Sequence, residues 1–290
     1  MRVLIFGGTG MLGRALAVAA RARGFAALAL SREQADIEDA PRLRYWAEAF
    51  RPEAVINCAA YTKVDLAEGE GRQKAFAVNG SAIANVASAA SAVGARLLHV
   101  STDYVFDGTA RQPYCEDAPT NPLSVYGQSK LAGEREALAG DQGKRALVVR
   151  TSWLFGPGGP NFVATMVRMI REGKLPLRVV RDQEGCPTYT PYLAAALLDL
   201  APLDLTGVVH YRNREPVSWY GFAAEIARLW SGTAEVVPVT TEEFPRPAPR
   251  PAWSVLDVGR FEDAAGRRVE SWEAGLADYL SAIRKGENRR

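Results

Sequence analysis

Along the first 150 positions the apolar residues fall into two kinds of segment that alternate. Residues 3–6, 25–30, 54–58, 96–100 and 146–151 form short, mostly apolar runs. Such runs predict strands covered on both faces, because a strand open to water on one side alternates apolar and polar residues. Residues 11–23, 43–50, 70–93 and 123–139 carry helical patterns. The second of these stops before Pro52, the third is rich in alanine, and the fourth starts after Pro122. Strands alternating with helices predict an α/β fold, a doubly wound parallel sheet with helices on both faces. Beyond residue 155 the pattern loosens. Helices are predicted over 161–172, 189–200, 218–230 and 272–285, and a strand over 207–211. Residues 244–251, FPRPAPRP, are expected to be a loop, since proline continues neither a helix nor a ladder. The tail 286–290 is expected to fray.

Composition narrows the class. With 290 residues, 48% hydrophobic and 23% charged, the chain can bury a large core, which excludes disorder for most of it. A net charge of +2 lacks the basic footprint of a nucleic-acid binder. No apolar run approaches the ~20 residues of a membrane span, and the run at 3–6 is too short for a secretory signal. Cys58, Cys115 and Cys186 are widely spaced with no CxxC, which argues for a reducing compartment over a disulfide framework. His99 and His210 are the only histidines, so a zinc site or a histidine triad is not expected. The expectation is a cytoplasmic enzyme with no metal and no nucleic-acid or membrane partner.

Three motifs carry chemistry. Gly7-x-x-Gly10-x-x-Gly13 lies between the first strand and the first helix. Glycines there allow a tight turn and close approach of a pyrophosphate to the free N–H groups of the helix. Tyr126 and Lys130 are four residues apart on one helix, hence on one face. An ammonium beside a phenol favours the phenolate, so the Tyr126 pKa is expected to fall from ~10 toward neutrality, suiting a carbonyl/alcohol pair. Ser101 to Gly108, STDYVFDG, begins at the carboxyl end of a strand, where ligands of open α/β sheets sit. A Ser101 or Thr102 hydroxyl there can bond the carbonyl that Tyr126 protonates.

Other positions read two ways. Cys58 and His99 read as packed core groups, and Asn79 as a core polar group or part of a proton relay. Trp153 reads as core or as a flat platform for a sugar or base. Arg246 and Arg250 read as diphosphate ligands or as a solvated loop. The second strand runs into Ser31-Arg32 with no carboxylate at its end; Glu33 and Asp36 come later. Ser31 and Arg32 can bond a 2′-phosphate, so NADPH is expected over NADH, with NADH still accepted.

Together these residues resemble the extended short-chain dehydrogenase/reductases, and within them the dTDP-4-dehydrorhamnose reductase family. The resemblance runs nearly end to end, through GGTGMLG, NCAAYTKVDLAE, STDYVFDG, PLSVYGQSKLAGE, RTSWLFG and DQEGCPT. It implies a Rossmann-type dinucleotide-binding domain over 1–155, to which later segments can return. It implies a smaller lobe over 156–290 for a dTDP-sugar. It implies Thr102, Tyr126 and Lys130 as the catalytic set, reducing a C4 ketone in dTDP-rhamnose biosynthesis. It sets Gly10, Met11, Leu12, Asp36, Ile37, Ala60, Tyr61 and Thr62 around the coenzyme, and Thr102, Asp103 and Trp153 near the sugar nucleotide. Some members dimerise through a magnesium held by acidic side chains, one just after the last glycine of the loop. Here that stretch is Gly13-Arg14-Ala15, so the metal is not carried over, and a homodimer stays open. A related reductase or epimerase of other stereochemistry, or a non-catalytic NADP-binding regulatory subunit, are the alternatives.

Overall fold

The computed structural model describes residues 1–287, so residues 288–290 of the tail expected to fray lie outside the described residues. The first half alternates as β1 (Arg2–Phe6), α1 (Met11–Ala22), β2 (Ala26–Leu30), α2 (Ala40–Phe50), β3 (Ala54–Asn57), α3 (Val64–Ala67), α4 (Arg72–Phe76), α5 (Ala82–Ala92), β4 (Arg96–Thr102), α6 (Val125–Ala137), α7 (Gly140–Gly143) and β5 (Ala146–Thr151). The second half holds β6 (Leu154–Phe155), α8 (Phe162–Arg171), β7 (Leu177–Val180), β8 (Glu184–Gly185), β9 (Thr188–Tyr189), α9 (Thr190–Leu200), β10 (Gly207–His210), β11 (Val217–Ser218), α10 (Trp219–Trp230), β12 (Val236–Val239), α11 (Gly259–Ala265) and α12 (Trp272–Glu287). Residues 244–251 are loop.

The central sheet runs β10-β5-β4-β3-β1-β2, all parallel. Side chains alternate across a strand, so each unbroken apolar run feeds two cores. Val3, Ile5, Ile56, Leu98, Leu147 and Val149 pack on one face with Leu12 and Leu16 of α1 and Leu193 and Leu197 of α9. Leu4, Phe6, Val55, Leu97 and Val148 pack on the other with Leu43 of α2 and Ile83 and Val86 of α5. A third core lies under α8, α10 and α12, around Phe155, Phe222 and Leu276. No helix among the described residues is long and apolar enough to cross a membrane.

The alanine-rich stretch is not one regular helix. Between α4 and α5 the chain makes a π-helical turn, Ala77–Ser81, and buried Asn79 sits in it. Its amide grips the backbone of Tyr61 (Oδ1 to N 2.8 Å, Nδ2 to O 3.0 Å) and donates to Ser129 Oγ (3.0 Å). Asn79 therefore ties the loop after β3 to α6.

His210, fully buried at the end of β10, lies 3.1 Å from the Tyr114 carbonyl through Nδ1 and 3.4 Å from Arg150 through Nε2. These partners suit only the neutral ring, with Nδ1 donating and Nε2 accepting. Burial, then the Arg150 charge, press its pKa down to about 3. An unfolded histidine takes its proton near pH 6.5. Stability tied to His210 is therefore complete above pH 6.5 and drains by up to ~1.4 kcal/mol per pH unit as pH falls toward 3. Buried Asp103 and half-buried Glu116, whose pKa values are raised, pull the opposite way. The histidine's share is the difference between wild type and His210→Asn, in which the amide keeps the bond to Tyr114. Urea midpoints between pH 7.5 and 5 should fall less steeply in the variant; parallel slopes would contradict this account.

Candidate active site

The carboxyl end of β4, the loop after β3 and the first turns of α6 meet above the sheet. Ser124 caps α6, accepting from Gly127 N at 3.1 Å. Gly127 and Gly133 let this helix lie against its neighbours: a Cβ at Gly127 would fall 2.2 Å from the Tyr104 carbonyl, and one at Gly133 2.0 Å from that of Asn79. Thr102 Oγ1 donates to Asp103 Oδ1 at 2.9 Å and accepts from Tyr104 N at 3.2 Å. Thr102 acts electrostatically on the nearby Tyr126 phenol, whose ring meets Tyr104 edge-on at 5.8 Å. Lys130, buried, donates to the Val100 carbonyl at 2.7 Å.

The electrostatics correct one expectation. The Tyr126 pKa does not fall: burial, then the charge of Asp103, push it up to about 12 despite the opposing influence of Thr102. The Lys130 ammonium is engaged by a backbone carbonyl, and burial brings it down to about 8, opposed by Glu134 and then Cys58. The phenol is thus protonated at neutral pH, the form a proton donor needs. Asp103, buried with Oδ2 unpartnered, rises to about 7 through burial. Cys58 is pushed up to about 12 by burial and is no nucleophile. Buried His99 meets Asn57 at 3.1 Å, its other ring nitrogen unpartnered.

Two cavities flank the site: Cys58 lines the first, and Thr102, Tyr126 and Lys130 line neither. One, of about 400 Å³, is lined by Gly7, Gly10, Arg32, Asp36, Ile37, Cys58, Ala60, Tyr61 and Thr62. Gly7 takes a φ of +77°, and a Cβ there would sit 2.6 Å from Ala59 N; one at Gly13 would sit 2.3 Å from the Gly7 carbonyl. No side chain caps α1 and no acidic residue occupies its first turn, so its N–H groups are open to an anion. Met11 and Leu12 open that helix; the Leu12 side chain belongs to the core, leaving its backbone to face a ligand. This donor set fits a dinucleotide. Ser31 is tied to Gln34 and Arg32 to Asp36 (Nε to Oδ2 3.0 Å). Lys63, from the NCAAYTKVDLAE segment, and Lys74, which lies outside the quoted motifs, also line it.

The second cavity, about 490 Å³, lies between α8, β7, Trp219 and the 241–250 loop. Its wall includes Phe162, Gln183, Phe244, Arg246 and Arg250, gathered from distant segments with no shared local signal. Arg250 pairs with Asp65 at 2.9 Å and donates to the Ala248 carbonyl at 2.9 Å, so it is anchored and not a solvated loop residue; Arg246 reaches the same carboxylate at 4.0 Å. Trp153, half-buried at a φ of +45°, stacks on Trp219 with ring centres 3.6 Å apart, and Trp219 is the one that lines the cavity.

A parallel doubly wound sheet, a glycine loop at an uncapped helix and a Thr–Tyr–Lys cluster at the strand ends define a Rossmann-type extended short-chain dehydrogenase/reductase. The chain belongs to the family described as the RmlD substrate binding domain, whose model matches residues 1–285. It is 44% identical to a dTDP-4-dehydrorhamnose reductase of Streptomyces griseus, covering 97% of this chain and 94% of that one. It is 42% identical to one of Mycobacterium tuberculosis, covering 97% and 93%. The crystal structure of the Bacillus anthracis dTDP-4-dehydrorhamnose reductase in complex with NADP superposes with a TM-score of 0.91 at 36% identity, covering 97% and 99%.

Proposed function

We propose that this chain reduces the C4 ketone of dTDP-4-dehydro-β-L-rhamnose to give dTDP-L-rhamnose, with NADPH as the preferred coenzyme. The observation that carries the reading is the gathering of Thr102, Tyr126 and Lys130 at the carboxyl end of β4, with Lys130 bonded to Val100 of that strand and Thr102 acting on the Tyr126 phenol, in a chain alike end to end to reductases of that substrate. When bound, the coenzyme supplies hydride to C4. Tyr126 gives its proton to the oxygen that becomes the alcohol, and Thr102 bonds that oxygen and holds it in line. Lys130 holds the coenzyme ribose and returns charge to the phenol's surroundings as the proton leaves. Gly7, Gly10, Met11, Leu12 and Gly13 present backbone to the pyrophosphate. Asp36, Ile37 and residues 60–62 border the rest of the coenzyme. Asp103, Trp153 and Arg250 serve the sugar nucleotide, Arg250 meeting its diphosphate. The reading puts the enzyme in the cytoplasm and admits a homodimer.

The test is NADPH oxidation with the purified dTDP-4-keto-6-deoxy-sugar epimers, with the product's C4 configuration read by NMR. One relative, 35% identical, is a dTDP-4-keto-6-deoxy-D-glucose reductase of Streptomyces niveus, so the D-epimer belongs in the assay. Turnover of that epimer alone would replace the proposed substrate, and turnover of neither would overturn the reading.

Coenzyme choice gives a second test. Arg32 is largely exposed and must turn from Asp36 to meet a 2′-phosphate, which caps its worth near one charge-assisted bond. Arg32→Ala should lower kcat/KM with NADPH about tenfold and leave the NADH value nearly unchanged. Equal losses with both coenzymes would remove Arg32 from the phosphate.

A further inference from the structure

Below Tyr126 and Lys130, one turn further along α6, lies Glu134, 2% exposed. Its carboxylate accepts from Ser101 Oγ at 2.5 Å, from Arg150 Nε at 2.9 Å and from the Arg150 Nη2 at 2.7 Å. Ser101 and Arg150 face each other across the β4–β5 register, and the next pair along is Thr102 with Thr151. One buried carboxylate therefore bolts the helix bearing Tyr126 and Lys130 to the strand bearing Thr102, at the residue just before that threonine. Arg150 is itself held from behind, by the Glu116 carbonyl at 3.3 Å and by His210. A buried ion pair is a poor source of stability, since desolvation offsets its attraction, and its best-attested use is to fix registry.

We infer that Glu134 is a positioning residue: through Ser101 and Arg150 it sets the depth and rotation of α6 so that the Tyr126 hydroxyl and Lys130 stand over Thr102. The inference rests on the proposed reduction, in which those three groups act together. The same carboxylate offsets the depressing effect of burial on Lys130. Cys58, from the loop after β3, also acts electrostatically on Lys130, whose charge in turn adds to burial in depressing the pKa of His99 on β4, and Tyr126 shares its helix face.

The experiment compares Glu134→Gln, Glu134→Asp and Ser101→Ala with wild type in kcat, both KM values, NADPH dissociation constant and thermal midpoint. Glu134→Gln should lower kcat about 10–100-fold, as misplacement of reacting groups does, with both KM values and NADPH binding held within threefold. Glu134→Asp should recover part of the loss. Glu134→Gln leaves Arg150 buried without its counter-charge, and the variant can fail to fold for that reason alone. Ser101→Ala keeps the ion pair and then decides: a kcat loss of roughly fivefold or more, without loss of NADPH binding, supports the inference. Wild-type kcat in folded Ser101→Ala or Glu134→Gln overturns it, and so does a loss matched by equal weakening of NADPH binding. Titration of the Lys130 amine by NMR, assigned with Lys130→Arg, needs no substrate. It should move from about 8 in the wild type to lower pH in Glu134→Gln, and an unmoved titration overturns the coupling. Wild-type enzyme that leaves the dTDP-sugar unreduced while that titration still shifts would remove the substrate assignment and keep Glu134 in place.

Discussion

Tyr126→Phe should turn over substrate about 10²–10⁴-fold more slowly, the usual worth of a placed general acid. The phenylalanine ring keeps the edge contact with Tyr104 and loses only the hydroxyl. Dinucleotide affinity, measured by quenching of protein fluorescence, should stay within a few-fold of wild type. The raised phenol pKa adds a pH signature. A group at about 12 is fully protonated across the neutral range, so reduction should show no loss assignable to Tyr126 as pH rises from 6 to 9. The groups that titrate inside that window are Asp103, at about 7, and Lys130, at about 8. Turnover within threefold of wild type in the Phe variant would remove Tyr126 from the proton transfer.

Phe155→Ala should be among the costliest truncations in the third core, at ~3–5 kcal/mol. Phe155 is fully buried and its ring lies 5.4 Å from that of Tyr189, 5.5 Å from that of Phe222 and 6.3 Å from that of Tyr279. It thereby joins β6 and β9 to α10 and α12, and removing it opens a cavity between elements that cannot all close on it. Phe155 stands two residues after Trp153, so sugar-nucleotide affinity should weaken along with the urea midpoint. A loss under ~1 kcal/mol would mean that the surrounding rings collapse into the gap.

What the chain discloses before folding is local. The five strands of the first half and their helices follow from apolar runs and turn residues, and the glycine loop and the Tyr126/Lys130 pair are visible as spacings. The second half of the chain is a different case. Its strands β6, β8, β9 and β11 are two residues long, and β7 pairs with β12 some sixty positions away, so no window of sequence carries their pattern. The π-helical turn at Asn79 hides inside an alanine-rich run whose period looks regular. The sign of the Tyr126 shift escaped for a related reason. A four-residue spacing says that the ammonium shares a face with the phenol, but not that it reaches past it to the Val100 carbonyl. Arg32 looked free at a strand end, and its pairing with Asp36 appears only in three dimensions.

The sixth strand of the central sheet, β10, comes from the second half of the chain and hydrogen-bonds along β5, while α9, just before it, covers α1. The two halves therefore cannot be exchanged like cassettes. A graft of another enzyme's sugar lobe after residue 155 would strip an edge from the coenzyme sheet, exposing the backbone of β5 and the apolar side of α1. A chimaera that keeps this scaffold intact has to retain 190–210 from the host and splice on either side of it as well as after residue 155, so exchanging the sugar-binding segments by recombination takes three crossovers where a simple graft takes one.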